Sequence, residues 1–189
     1  ADGKVYVGAT NGTVYVLDAE TGRKVMPELQ TGRDIRSSPM PVGDMLLFGS
    51  YSGTFYALNP QTGERAWKSL YKVPDPIISS PLLADNLVFF QTGDNSIHAL
   101  ALSSGAFRWK NRLRFKFDRD SMIYSDGSLF VPSGPMLYAI MPRSGDVRWE
   151  RQLPLDILTA PVSIDGILYV SCKEERGSGA RLYAVRANN

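Results

Sequence analysis

The sequence is poor in the residues from which metal, redox and nucleophilic sites are most often built. Its 189 residues contain one cysteine, Cys172, and one histidine, His98. A single cysteine excludes an internal disulfide and any cysteine-based metal cluster. Cys172 lies in an apolar run and is interpreted as a small core residue, and His98 as a residue packed between structural units. We therefore expect no catalytic residue, no metal site and no cofactor.

Long hydrophobic runs and a strong charge of either sign are absent as well. No apolar stretch approaches the length of a membrane span, so direct insertion into a membrane is not expected. The formal net charge of +2 gives no reason to expect nucleic acid as a partner. With 43% hydrophobic and 21% charged residues, the chain is expected to bury a core rather than to stay disordered.

What the sequence does contain is a repeat of about 41 residues, the kind of period that is typical of repeat architectures. Each copy carries a Thr-Gly or Ser-Gly pair, and in three copies a tryptophan follows four residues after the glycine. Met26 takes the tryptophan position in the first copy. The repeated residues are Gly22, Gly63, Gly105 and Gly145, with Trp67, Trp109 and Trp149.

Within one repeat, short apolar runs alternate with turn residues. Asp85-Asn86 and Gly93-Asp-Asn95 separate β-branched and aromatic segments, and no stretch shows a sustained helical period. Four short strands in some 40 residues are the signature of a β-propeller blade, so the predicted fold is all-β, with four-stranded antiparallel blades. The predicted blades are 35–70, 76–112 and 119–152, with partial blades at 4–29 and 157–186.

The predicted strands do not add up to a closed ring. The first partial blade lacks its innermost strand and the last lacks its outermost strand, and both contain the middle strands, so the two cannot merge. We interpret residues 1–189 as one propeller domain, or a portion of one, with about four to five blades. Remaining blades or a second chain are expected partners, because unpaired strand edges otherwise invite aggregation.

The pattern at Ala57–Trp67, Ala-Leu-Asn-x-x-Thr-Gly-x-x-x-Trp, resembles the tryptophan-docking repeat of the PQQ-like, or quinoprotein alcohol dehydrogenase-like, propellers. The resemblance is closest in type to non-enzymatic members such as the bacterial outer-membrane assembly lipoproteins, and it implies a scaffold that binds protein or peptide, in envelope protein assembly or in sensing. It also implies a periplasmic or otherwise extracytoplasmic location. The alternative is a fragment of a dehydrogenase dependent on pyrroloquinoline quinone and calcium, whose catalytic blades are absent.

The repeated residues have a physical interpretation of their own. The glycine closes a hairpin in a conformation that other residues resist, and Asp18 or Asn59 can accept hydrogen bonds from the amides of that turn. The tryptophan is expected to lie flat on the neighbouring blade, with its indole N–H bonded to a backbone carbonyl. These residues are therefore interpreted as structural rather than functional.

Two clusters of charge are candidates for partner binding. Arg112, Arg114 and Lys116 alternate with apolar residues, and as a strand would share one face. That face is either a solvated outer surface or a docking site for an acidic peptide or an added strand. The predicted channel-lining strands are Ile35–Pro39, Ile77–Pro81, Asp118–Met122 and Ile157–Pro161. Arg119 and Asp120, on the third of them, are either a satisfied ion pair at the rim or a pair that holds a ligand or ion.

Overall fold

The computed structural model describes residues 3–26, 28–117, 121–173 and 179–188, which contain 18 strands and no helix. No helix able to cross a membrane is therefore present in these ranges. The strands are β1 (Lys4–Gly8), β2 (Thr13–Asp18), β3 (Leu29–Gln30), β4 (Met40–Val42), β5 (Met45–Gly49), β6 (Thr54–Leu58), β7 (Tyr71–Lys72), β8 (Leu82–Ala84), β9 (Leu87–Thr92), β10 (Ser96–Ala101), β11 (Phe107–Arg112), β12 (Ile123–Ser125), β13 (Ser128–Ser133), β14 (Met136–Ile140), β15 (Val147–Gln152), β16 (Val162–Ile164), β17 (Ile167–Lys173) and β18 (Ala180–Arg186).

The strands form five antiparallel sheets in chain order. The second, third and fourth sheets each have four strands, namely β4 to β7, β8 to β11 and β12 to β15. The first sheet, β1 to β3, and the fifth, β16 to β18, have three strands each. The prediction of an all-β partial propeller is confirmed. The blade bounds remain predictions, because the residues before β12 at 118–120 lie outside the described ranges.

The predicted inner strands are wrong in detail. Ile35–Pro39, Ile77–Pro81 and Ile157–Pro161 are not strands, and the innermost strands β4, β8 and β16 begin directly after them. These segments bond to two sheets at once. Ile77 N–H donates to Ser50 O of the preceding sheet at 3.3 Å, whereas Ile78 N–H donates to Gln91 O of its own sheet at 3.0 Å. The Gln91 N–H then donates to the Ser79 hydroxyl at 2.8 Å, a side-chain bond where a ladder would have a backbone one. Each segment also ends in a proline, which cannot donate to a ladder. Asp118–Met122 lies mostly outside the described residues.

The core consists of four apolar clusters, each lying between consecutive sheets. Between the third and fourth sheets, for example, Phe89 and Ile97 pack with Leu129 and Val131. In the described residues no such cluster joins the first sheet to the fifth, and apolar side chains on both outer faces stay exposed. The exposed side chains include Val5 and Val7 on the first sheet, and Val162, Ile164 and Leu182 on the fifth.

The tight turns follow from their sequences. Asp85 and Asn86 have φ of 52° and 59°, the left-handed pair that a two-residue hairpin turn needs. In the turn before Gly22, the Asp18 carboxylate accepts from the N–H groups of Glu20 and Thr21 at 3.2 and 2.8 Å. The hydrogen bonds from Thr21 are the main reason why the pKa of Asp18 lies below its ordinary value. Asn59 accepts equivalent bonds from two amides at 2.8 and 3.1 Å.

The repeated tryptophans connect each sheet to the next. The indole N–H of Trp67 donates to Leu102 O at 2.9 Å, and that of Trp109 donates to Pro142 O at 2.7 Å. A Cβ added to Gly105 would lie 2.3 Å from the Trp67 ring, so this glycine is what allows the ring to approach. Gly145 bears the same relation to Trp109, with a closest distance of 2.6 Å. The junctions between the second and third sheets and between the third and fourth sheets therefore each consist of a tryptophan on one sheet and a glycine turn on the following one.

The junctions that involve the first and the fifth sheets differ from the two in the middle. Trp149 donates to Ala187 O at 3.1 Å but is only partly buried, since the fifth sheet has three strands in the described residues. A Cβ added to Gly63 would lie 3.1 Å from a Leu29 methyl instead of an indole ring, in keeping with Met26 at the tryptophan position. Among the described residues, nothing lies within 4 Å of a Cβ placed on Gly22.

Candidate partner-binding surface

A strongly basic part of the described surface is the stretch 107–117, here called the basic segment. It contains five cations and no acidic residue: Arg108, Lys110, Arg112, Arg114 and Lys116. All five are exposed. Its first half is β11, which pairs with β10 on one side and forms the outer edge of the third sheet. The segment therefore presents cations along an open sheet edge.

The expectation that one strand carries Arg112, Arg114 and Lys116 is wrong. The last ladder bond runs from Leu113 N–H to Asn95 O at 2.9 Å, and β11 ends at Arg112. Beyond it, the Phe115 carbonyl accepts from the Ser133 hydroxyl of the fourth sheet at 2.6 Å, which draws the backbone away from β10.

The alternation of side chains nevertheless persists past the end of the strand. Leu113 is buried, and Phe115 and Phe117 pack against the cluster between the third and fourth sheets. The guanidinium of Arg114 lies over the Phe115 ring, 5.3 Å from its centroid. The apolar residues thus anchor the segment while the cations face outward. Arg119 and Asp120, the other predicted pair, lie outside the described residues.

Directly beneath β11 lies a buried chain of hydrogen bonds centred on His98. Its Nδ1 is 3.1 Å from the Tyr71 hydroxyl, which belongs to the second sheet, and its Nε2 is 3.2 Å from the Thr92 hydroxyl. Thr92 donates to Asp94 at 2.6 Å, and Asp94 in turn accepts from Lys110 at 2.8 Å. Since Thr92 donates to a carboxylate, His98 donates from Nε2 and accepts at Nδ1 from Tyr71.

This environment keeps the imidazole neutral. His98 is 1% exposed and stacks on Phe90 with ring centroids 5.1 Å apart. Burial, reinforced by the charge of Lys110 and opposed by that of Asp94, lowers the pKa of His98 to about 4. Burial alone would raise the pKa of Asp94, but hydrogen bonds from Lys110, Thr92 and Ser96 outweigh it and hold that pKa well below its usual range. Burial also raises the pKa of Tyr71.

The His98 chain joins two sheets. Both nitrogens of the buried imidazole have partners within the chain, the Tyr71 and Thr92 hydroxyls. The interpretation of His98 as a residue packed between blades agrees with its contacts to Phe90 and Tyr71 from two sheets. Cys172 is likewise fully buried in the cluster between the fourth and fifth sheets. Burial, together with the charge of Asp156, raises the pKa of its thiol, so it is a poor nucleophile.

The residues present do not fit the quinone and calcium of the dehydrogenases in the resembling family. Those enzymes use adjacent cysteines, whereas this chain has one cysteine, enclosed between two sheets. In the part of the chain that the structure describes, no group of three or more histidine, cysteine, aspartate or glutamate residues could hold a metal ion. The donor set that the chemistry needs is therefore not present in these ranges.

Sequence interpretation missed part of this surface. The two-residue alternation of positive charge at Arg112, Arg114 and Lys116 also extends towards the N-terminus, to Lys110 and Arg108. The sequence therefore does carry a signal for these two cations. The contact between Tyr71 and His98 had no such signal, because it depends on how two sheets approach each other.

The fold and this surface together define a class of protein: a β-propeller scaffold whose most distinctive surface feature is a basic sheet edge. The family model described as outer membrane protein assembly factor BamB matches residues 1–122 and 98–189, and the chain belongs to this family. The chain is 33% identical over 110 residues to BamB of Burkholderia pseudomallei, covering 58% of this chain and 28% of that protein. It is 30% identical over 149 residues to BamB of Legionella pneumophila, covering 72% of this chain and 38% of that protein.

A solved structure shows the same fold. The crystal structure of BamB from Moraxella catarrhalis matches with a TM-score of 0.80 at 17% sequence identity, over 99% of this chain and 59% of that one. The chain thus spans less than half the length of the two curated relatives and about three fifths of the solved one. The resemblance to PQQ-like propellers of the assembly type is confirmed, and the family description names an assembly factor rather than an enzyme.

Proposed function

We propose that this chain is part of a non-enzymatic propeller scaffold that binds polypeptide during outer-membrane protein assembly, outside the cytoplasm. Family membership supports the assembly role and the location. The absence of a fitting donor set in the described residues weighs against the alternative, a quinone-dependent dehydrogenase fragment. The observation that carries the binding role is the basic segment, which holds five exposed cations and no acidic residue.

The chemistry of the basic segment specifies an acidic partner. Of its cations, Lys110 has its charge compensated by Asp94, with the two charged atoms 2.8 Å apart. Arg112, Arg114 and Lys116 have no acidic partner in the described residues. Exposed charges of one sign speed association with an oppositely charged partner and make binding depend on salt. A docking polypeptide with clustered Asp or Glu residues suits this surface.

The test is a double charge reversal, Arg112→Glu with Arg114→Glu. Binding of a labelled, unstructured acidic peptide is measured by fluorescence anisotropy at several salt concentrations. We expect the affinity to fall roughly 10-fold at low salt, because each of the two reversed charges changes the binding free energy by about 0.7 kcal/mol. The affinity should also depend less on the salt concentration. The matched control reverses Arg23 and Arg186, two exposed arginines outside the segment, and should leave binding unchanged. Equal loss in both variants, or no binding by the unmodified chain, refutes the proposed surface.

The two uncovered sheet faces form the second part of the proposal. The face of the first sheet exposes Val5 and Val7 at 44% and 41%, and that of the fifth exposes Val162, Ile164 and Leu182 at 54% or more. Inside the chain, the corresponding faces pack against a neighbouring sheet. Further blades or a second chain suit these faces, and sedimentation at increasing concentration distinguishes the two.

A further inference from the structure

The outer strand of the third sheet, β11, is longer than the outer strands β3 and β7, and it differs in charge from β15. β11 and β15 have six residues each, whereas β3 and β7 have two. Aligned on their tryptophans, β11 places Arg108, Lys110 and Arg112 where β15 has Arg148, Glu150 and Gln152. β11 is therefore the long edge with a uniform positive charge, and β15 is a natural control of the same length and backbone setting.

The hydrogen-bond register shows which backbone groups of β11 point away from the sheet. Leu113 N–H bonds to Asn95 O at 2.9 Å, so Leu113 and Asn95 form a hydrogen-bonded pair. In an antiparallel ladder such pairs alternate with pairs whose backbone groups point outward. Arg112 pairs with Ser96 and Lys110 with His98, at the intervening positions. The N–H and C=O groups of these two cationic residues therefore face the open edge.

Charge and backbone direction thus coincide on β11. The residues that offer free backbone donors and acceptors are the ones that carry positive side chains. We infer that β11 binds an acidic segment of a partner as an added antiparallel strand, with acidic residues at every second position, two of them opposite Lys110 and Arg112. Arg108 lies at the bulge where the pairing of β10 with β11 shifts, and it adds its positive charge beside them. This inference rests on the proposed polypeptide-binding function and specifies its mode. Backbone bonds supply general affinity in such an arrangement, and the alternating side chains supply selectivity.

The antiparallel direction specifies which backbone groups of the added strand bind. When a residue of the added strand lies opposite Arg112 in a hydrogen-bonded pair, its own N–H and C=O both point at β11 and its side chain lies on the same face. An acidic residue there meets the guanidinium while its backbone completes two hydrogen bonds. In a parallel arrangement, the backbone bonds to β11 would instead come from the residues on either side of each acidic residue.

The experiment uses three synthetic peptides with Glu at every second position, separated by Thr and Val. The first is unmodified, the second carries N-methyl groups on the Glu residues, and the third on the intervening residues. Binding to the intact chain is measured by fluorescence anisotropy. We expect the second peptide to bind at least about 10-fold more weakly than the first, since two or more backbone bonds are lost, and the third to bind about as well as the first.

Amide hydrogen exchange gives an independent readout. In the free chain the Lys110 and Arg112 amides face solvent, and the unmodified peptide should slow their exchange, while the equivalent Glu150 and Gln152 amides on β15 should not change. The variant Arg108→Gln with Arg112→Gln should weaken binding several-fold, whereas Arg148→Gln on β15 should not.

The outcomes separate the two proposals. Binding of all three peptides with equal affinity, or weakening by the third peptide alone, overturns antiparallel strand addition but leaves polypeptide binding intact. Failure of every acidic peptide to bind overturns the proposed binding surface itself.

Discussion

The single histidine of this chain allows a direct test of the junction between the second and third sheets. His98 accepts a hydrogen bond from Tyr71 of the second sheet and donates one to Thr92 of its own sheet, and 1% of it is exposed. Protonation would place a charge in this buried position, among aromatic rings and close to the positive charge of Lys110. We expect acid to destabilise the folded chain through this one group.

The magnitude follows from the pKa of His98, which burial lowers from 6.5 to about 4. The unfolded chain then binds the proton more readily than the folded chain. The stabilisation is therefore fully present above pH 6.5 and is lost as the pH falls toward 4. A difference of about 2.5 units corresponds to about 3 kcal/mol, of which about 2 kcal/mol is lost by pH 5. Asp94 acts in a separate window, because its pKa is lowered and its contribution disappears only below about pH 4.

Two measurements test this expectation. NMR titration of the imidazole needs no assignment, since the chain has one histidine, and should show a neutral ring with a proton on Nε2 at pH 6. Urea unfolding between pH 7 and pH 4.5 should show the loss of stability. The control is His98→Tyr, which installs the residue found at the equivalent positions Tyr15, Tyr56 and Tyr138 and should remove most of the pH dependence. A folded-state pKa of 6 or higher, or an unchanged pH dependence in the tyrosine variant, refutes the reasoning.

Two further predictions concern the junctions made by the repeated residues. Trp109→Ala should cost about 3–5 kcal/mol of unfolding free energy, since it removes a buried ring and its 2.7 Å bond to Pro142 O. An unchanged urea midpoint would show that the tryptophan does not hold the sheets together. Gly105→Ala should cost at least about 2 kcal/mol, from its φ of 72° and from contact with the Trp67 ring. Gly127→Ala isolates the backbone contribution, because Gly127 has a φ of 71° and open space around it, so equal costs at the two glycines would argue against the ring contact.

Much of the fold could be predicted because its determinants are local. A turn such as Asp85-Asn86 needs positive φ at adjacent residues, and few residue types accept it. Because the 41-residue period repeats those local signals, a turn that is ambiguous in one copy can be predicted from the equivalent turns in the other copies. The sheet order then follows from the chain order, since each sheet is a simple meander.

The features that sequence could not predict depend on contacts between sheets. The segment at Ile77–Pro81 has the composition of a strand, but Ile77 N–H bonds to the preceding sheet and the Ser79 hydroxyl accepts the bond from Gln91 N–H. The basic segment stops pairing with β10 after Arg112, because the Ser133 hydroxyl of the next sheet donates a hydrogen bond to the Phe115 carbonyl. The Tyr71 hydroxyl reaches His98 across a junction, and no spacing within one repeat encodes that distance.

The glycine-and-tryptophan junction has a consequence for how such a chain can change in length. The third sheet shows the full arrangement, since it receives the Trp67 ring on its own glycine turn and supplies the Trp109 ring to the next sheet, so one repeat carries one half of two joints. Duplicating or deleting a whole repeat therefore restores complete joints on both sides of the change. Unequal recombination within the gene can alter the blade number without requiring a compensating substitution, and the Leu29 contact at Gly63 shows that a joint also survives without its ring.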